Sequence, residues 1–176
     1  MKKLIIAAAM ICAAAFAQAA TVNWTISGVK AEGDTAPSVG WAVMVFYTEV
    51  GAGSGAIESA IAAGTAGSLA FESSTLAVSM SKGKVAAHDV AVAGITDTSK
   101  NYDFYFVVFN DADPASATKY AMQSALNKEY SSMAGKYTVS STFSSSTPWT
   151  ETVPEPTTGL LVLLGVAGLA LRRRRA

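Results

Sequence analysis

NYDFYFVVFN, residues 101–110, decides the architecture. Successive side chains of a strand point to opposite faces. Here Tyr102, Phe104, Phe106 and Val108 share one face, and Tyr105, Val107 and Phe109 share the other. Neither set is polar, so the strand needs cover on both sides and belongs in the middle of a layered domain. GWAVMVFYTEV, residues 40–50, has the same property: Trp41, Val43, Val45 and Tyr47 oppose Ala42, Met44 and Phe46. It is a second central strand.

The remaining segments read as half-buried strands with turns between them. Val22, Trp24 and Ile26 alternate with Asn23, Thr25 and Ser27, and the run ends at Gly28. Two strands are expected at Leu76-Val78-Met80 and at Val85 to Val92, joined near Lys82-Gly83-Lys84, with His88-Asp89 interrupting the second as a bulge or strand end. Lys119 to Gln123 is expected to pair back on the 102–109 strand after a turn at Asn110 to Pro114. Gly135 to Phe143 supplies a further strand with Tyr137, Val139 and Phe143 as its apolar contributors. Gly51, Gly53 and Gly55 mark a loop. Ala56 to Ala63 then has room for two helical turns with Ile57 and Ile61 on one face, stopped by Gly64; so short a helix survives only by docking. The fold class is therefore mostly β, an antiparallel two-sheet sandwich or distorted barrel with one short helix. Mixed α+β is the alternative were that helix larger.

The two ends are of another kind. Lys2 and Lys3 precede an apolar run from Leu4 to Ala17, followed by Ala17-Gln18-Ala19, with small residues at the positions a signal peptidase accommodates. Residues 1–19 are expected to be a signal peptide cut after Ala19. An uncleaved anchor is disfavoured because the run is short and polar sequence follows at once. A lipoprotein reading at Cys12 is weaker, since Ile11 is too bulky before the cysteine. From Ala20 to Val153 there are 7 Lys and no Arg against 12 Asp and Glu, about minus five. Such a surface excludes nucleic acid and anionic membranes as natural partners, since both need clustered positive charge. Cys12 is the one cysteine of the chain and leaves with the signal, so stability must come from an ordinary core. These roughly 134 residues suffice for one core and not for two.

At the other end, Val153-Pro154-Glu155-Pro156-Thr157 precedes the apolar run Gly159 to Leu171 and the four arginines Arg172, Arg173, Arg174 and Arg175. The prolines lack N–H groups and push their neighbours away from helix, so residues 153–156 are expected to be extended. As a helix the apolar run is roughly 20 Å long against a hydrocarbon slab of about 30 Å, a marginal span. Taken as a transmembrane helix with the arginines held on the cytoplasmic side, residues 159–171 make the chain a single-pass membrane precursor with its body outside. The implied organisation is a signal peptide (1–19), an exported β domain (20–143), a Ser/Thr/Pro linker (144–152) and a C-terminal segment (153–176).

Residue by residue, that segment closely resembles the PEP-CTERM sorting signal of Gram-negative and related bacteria. Pro154, Glu155 and Pro156 match the name-giving tripeptide, Thr157 takes the hydroxyl position after it, and the apolar run and arginine cluster follow at the expected spacing. The resemblance covers residues 153–175. It implies recognition by an exosortase-type membrane protease or transpeptidase, and an exported surface or matrix protein associated with exopolysaccharide. It implies nothing about residues 20–152.

Within the body little points to chemistry. His88 is the sole histidine, which excludes a multi-histidine metal centre in one chain, and catalysis through it would need a serine and a distant carboxylate. The Gly51 to Gly55 stretch lacks the Lys-Ser/Thr of a phosphate loop. Asn110, Asp111 and Asp113 offer oxygens to calcium but fall short of its six-to-eight-oxygen shell, and turn formation explains them. Asn23-Trp24-Thr25 fits a glycosylation sequon but lies inside a strand. Trp24, Trp41, Phe46, Phe104 and Phe106 are expected in the core. Tyr120, Tyr130 and Trp149 lie in more polar surroundings and would stack on sugar rings if the fold brought them together. The expectation is a non-enzymatic protein without cofactor or bound metal, with a carbohydrate-binding module as the alternative and a secreted hydrolase as a weaker one.

Overall fold

The computed structural model describes residues 19–34, 36–77 and 82–152. Its central strand is β5 (Tyr102–Phe109), in which all eight residues are buried. On one side it pairs antiparallel with β2 (Ala42–Glu49), and on the other with β6 (Lys119–Lys128). A short β3 (Glu72–Thr75) and β9 (Trp149–Glu151) complete a five-stranded sheet in the order β3-β2-β5-β6-β9. A second sheet runs β4-β1-β8-β7, formed by β4 (Val85–Val92), β1 (Ala20–Ser27), β8 (Lys136–Thr142) and β7 (Tyr130–Ser131). The mostly β, two-sheet architecture is therefore present, as a sandwich.

The two faces of β5 find different partners. Tyr102, Phe104, Phe106 and Val108 join Val43 and Val45 of β2 in packing against Val22, Trp24 and Ile26 of β1 and Tyr137 and Val139 of β8. Tyr105, Val107 and Phe109, with Met44 and Phe46, pack outward under α1 (Gly55–Ala62) and the single-turn α2 (Ala66–Leu69), which contribute Ile57, Ile61 and Ala66. The short helix thus docks by the two isoleucines that its spacing singles out. Its first turn is held by Ser54 Oγ donating to Glu58 Oε1 at 2.6 Å. It ends where Gly64 turns to a positive φ of 68° and Thr65 N–H reaches back to the Ala60 carbonyl at 2.8 Å.

Several expectations need correction. The sheets are not wholly antiparallel: β1 and β8 pair in parallel, Val22 beside Tyr137 and Trp24 beside Val139. Parallel neighbours need a crossover, and here β2 to β7 lie between them in sequence. Where the strands end, Gly28 has φ 76° and its α-carbon lies so near the Phe143 carbonyl oxygen that a Cβ would run into it. The strand expected at Leu76-Val78-Met80 lies earlier, at Glu72–Thr75. Leu76 follows it as a buried core residue, and Val78 and Met80 lie outside the described residues. Because β3 and β4 belong to different sheets, they are not a hairpin.

Residues 144–152, expected to be a tether, hold β9, which pairs Trp149 with Ala121 and Glu151 with Lys119. Thr147 is buried, its Oγ1 accepting from Ser144 N–H at 3.0 Å. Backbone groups on the free edge of β6 need partners, and a Ser/Thr-rich composition does not prevent a strand from supplying them.

The C-terminal transmembrane helix, and the single-pass membrane precursor drawn from it, are also corrected. Among the described residues no helix is long and apolar enough to cross a membrane. Residues 1–18, with the expected signal helix, and 153–176 lie outside the described residues.

One buried carboxyl group ties parts of the five-stranded sheet together. Asp103 is 5% exposed; its Oδ1 accepts from Asn127 N–H at 2.7 Å and its Oδ2 from Gly51 N–H at 3.2 Å. Asn127 has φ 52° and sits where the β5–β6 register slips, so the carboxylate satisfies a bulge on one side and the β2–α1 turn on the other. Asp103→Ala should lower the unfolding free energy by about 1–3 kcal/mol, because two part-buried hydrogen bonds, from Asn127 and Gly51 N–H, are lost. Asp103→Asn, which keeps one acceptor, should fall between. Denaturant titration checks this, and an unchanged midpoint for the alanine variant would contradict it.

Tyr137, fully buried, donates its hydroxyl to the Lys100 carbonyl at 2.8 Å and packs against Tyr102, Phe104 and Tyr130. Burial above all, with Tyr102 and Asp97 adding to it, pushes its phenol from 10.0 up to about 12. A raised phenol stabilises the fold below its unfolded value, and that stability is lost as pH climbs through the folded one. Stability should therefore fall between pH 10 and about 12, and less steeply in Tyr137→Phe. Denaturation midpoints across that range give the slopes, and equal slopes for the two proteins would refute the assignment.

Candidate functional site

At one end of the sandwich the inner core comes to the surface. Trp41 lies just before β2, and Trp149 stands on β9 opposite Ala121 of the inner face. Both indoles are half-buried and pack on the edge of the core. Their ring centroids are 5.5 Å apart and their planes 82° from each other, so they form a corner. With Ala31, Glu32, Asn110 and Lys119 they line a cleft of about 260 Å³.

Every polar residue of the cleft comes from a strand end or connection. Glu32 belongs to the β1–β2 connection, Asn110 follows β5, and Lys119 begins β6. Lys119 Nζ donates to Glu32 Oε2 at 2.8 Å. That hydrogen bond, and the charge of the same carboxylate, hold the ammonium above its ordinary value. Asn110 has a supporting part. Its Oδ1 accepts from Thr118 and Lys119 N–H groups, both at 2.9 Å, and its Nδ2 donates to Thr118 Oγ1 at 2.9 Å. The amide thus closes the 110–119 loop and fixes the root of Lys119.

The structure disposes of most other candidates by giving them local partners. Asp111 Oδ1 accepts from Asp113 N–H at 2.9 Å, and Asp113 Oδ1 from Ala115 N–H at 3.0 Å, so the carboxylates make turns. Among the described residues no group of three or more His, Cys, Asp or Glu is placed to hold a metal. His88 packs edge-on against Trp24, with centroids 4.7 Å apart. Asp89 points to the other face, where it accepts from Asn23 Nδ2 at 2.6 Å and pairs with Lys136 at 3.0 Å. A histidine and carboxylate so divided do not form a catalytic pair. Asn23, the sequon residue, is engaged in this same contact on strand β1.

The three aromatics considered for sugar stacking are not brought together. Tyr120 is buried beside Phe109 on the helix-covered face. Tyr130 packs on Tyr137 at 5.2 Å. Trp149 alone reaches the cleft, and its partner is Trp41, which strand alternation assigns to the core. What the sequence reading missed is that Trp41 follows Gly40 at the very start of its strand, a rim position where a core-facing side chain meets solvent.

The sorting residues Val153, Pro154, Glu155, Pro156 and Thr157, the arginines 172–175, and Ala17 lie outside the described residues, while Ala19 opens them. The fold does carry the chain up to the first group. Thr152 N–H donates to the Thr118 carbonyl at 2.9 Å, and its hydroxyl donates to the Ala117 carbonyl at 2.5 Å.

Comparison with known proteins adds one match. No curated protein and no solved structure matches the chain. Residues 152–175 match the family model described as the PEP-CTERM protein-sorting motif. The chain therefore carries a PEP-CTERM sorting motif over residues 152–175.

Proposed function

We propose that this is a non-enzymatic surface or matrix protein, exported through an N-terminal signal and sorted through its C-terminal motif. The observation that carries the reading is the sorting-motif match over residues 152–175. In this account signal peptidase cuts after Ala19, with Ala17 and Ala19 as the small residues it accommodates. An exosortase-type protease or transpeptidase then recognises Val153 to Thr157. That segment's two prolines lack backbone N–H groups and disfavour helix in the residues before them, which would suit a processing enzyme that threads an extended backbone through its site.

The non-enzymatic part is supported by how the polar side chains are used. His88 is committed to Trp24, and the buried Asp103 to two backbone donors. The surface charge of about minus five argues against nucleic acid as a partner. Association with exopolysaccharide is the partner we infer for the delivered domain.

Replacing Pro154, Glu155 and Pro156 by alanines should leave the thermal midpoint of the domain unchanged, since the last strand, β9, ends at Glu151 and Thr152 is held by the 117–118 backbone independently of those three side chains. The same variant should accumulate unprocessed. Intact-mass measurement of protein recovered from the surface or medium of the producing bacterium should find a product without residues 1–19 and without Arg172 to Arg175. Normal delivery of the triple-alanine variant, or a recovered mass that always retains the arginines, would overturn the sorting account.

A further inference from the structure

We propose that the rim cleft between Trp41 and Trp149 binds a single neutral pyranose ring of a polysaccharide. A sugar ring is amphipathic: its axial C–H bonds make an apolar face and its hydroxyls a polar edge. The cleft has the matching division. Two indoles at 82° offer an apolar corner, and across the same cleft of about 260 Å³ lie a carboxylate and an ammonium 2.8 Å apart. Neighbouring hydroxyls of one ring can donate to Glu32 and accept from Lys119 together, bridging the pair without separating it. Pockets for drug-sized ligands begin at roughly 300 Å³, so this one takes a ring and not an enclosed chain. Its position at the end of the sandwich lets the rest of a polymer continue into solvent.

The indoles are set apart from their neighbours on the same inner face. Val43, Val45, Phe106 and Val108 are entirely buried, whereas Trp41 and Trp149 stay half-buried at the rim. Charge selects among polymers. The domain carries about minus five, and Lys119 is already neutralised by Glu32, with Glu151 paired opposite it on β9. A uronate or phosphate-bearing chain meets repulsion, and the cleft's own Lys119 is already held by Glu32.

This inference rests on the matrix reading only for polysaccharide being at hand, and its test uses purified protein, so sorting and binding can fail separately. Neutral hexose tetrasaccharides built on glucose, galactose or mannose, and a galacturonate tetrasaccharide, would be titrated into the full chain while tryptophan fluorescence is followed. At least one neutral tetrasaccharide should give a saturable change at millimolar concentration, with the galacturonate binding at least tenfold more weakly. Trp149→Ala and Trp41→Ala should each weaken binding about tenfold or more, as removal of a central aromatic contact does. Should either variant fold poorly, Glu32→Ala, at a side chain 58% exposed, should weaken binding about threefold or more with the thermal midpoint kept. No saturable response to any neutral tetrasaccharide, tighter binding of the galacturonate, or unaltered binding in Glu32→Ala would overturn the proposal.

Discussion

A strand with no polar face can be stable only when both of its faces are covered, and β5 imposes that constraint on everything around it. Fully burying a large apolar side chain stabilises the fold by roughly 1.5–3 kcal/mol, against about 1–2 kcal/mol for fixing the backbone of one residue. The balance favours order only while water is kept from both sides. On the inner side Phe104 and Phe106 are covered by the four-stranded sheet, and on the outer side Val107 and Phe109 by two short helices. Neither helix is long enough to persist alone. The outer layer therefore exists because β5 and β2 offer it an apolar surface, and the second sheet for the same reason on the other side.

Much of this was legible in the residues themselves. Double-sided apolar alternation in 102–109 and 41–47 placed the two central strands, and Val22, Trp24 and Ile26 placed the core face of β1. The spacing of Ile57 and Ile61 located the helix that docks. What alternation cannot carry is the identity and direction of a strand's neighbour. Tyr137 and Val139 alternate identically whether β8 lies antiparallel or parallel to β1, and the structure has it parallel. Composition misled at 144–152, where serines and threonines make a turn that buries Thr147 and an edge strand because the free side of β6 needs hydrogen-bond partners. Asp103 was invisible for a related reason. A lone acid in an aromatic strand gives no sign that its two oxygens will meet a bulge and a turn from distant segments.

The functional features divide the same way. A sorting motif is local sequence, read by an enzyme as an extended string, so Pro154, Glu155 and Pro156 declare it without any fold. The rim cleft is tertiary: Glu32 and Trp41 of the β1–β2 connection, Asn110 and Lys119 at the two ends of the 110–119 loop, and Trp149 of β9 come from three separate stretches, and only sheet topology brings them together. The two meet at β9. Trp149 walls the cleft, and three residues later Thr152 is fastened to the 117–118 backbone at the start of the matched motif.

Native-state hydrogen exchange on the full chain tests the governing constraint most directly. If cover on both faces of β5 is what holds the domain together, the backbone amides of Phe104 to Val108 should be the slowest to exchange and should open only with global unfolding, while those of β3 and β9 open earlier. Amides of β5 that exchange as fast as those of β3 or β9 would contradict the account.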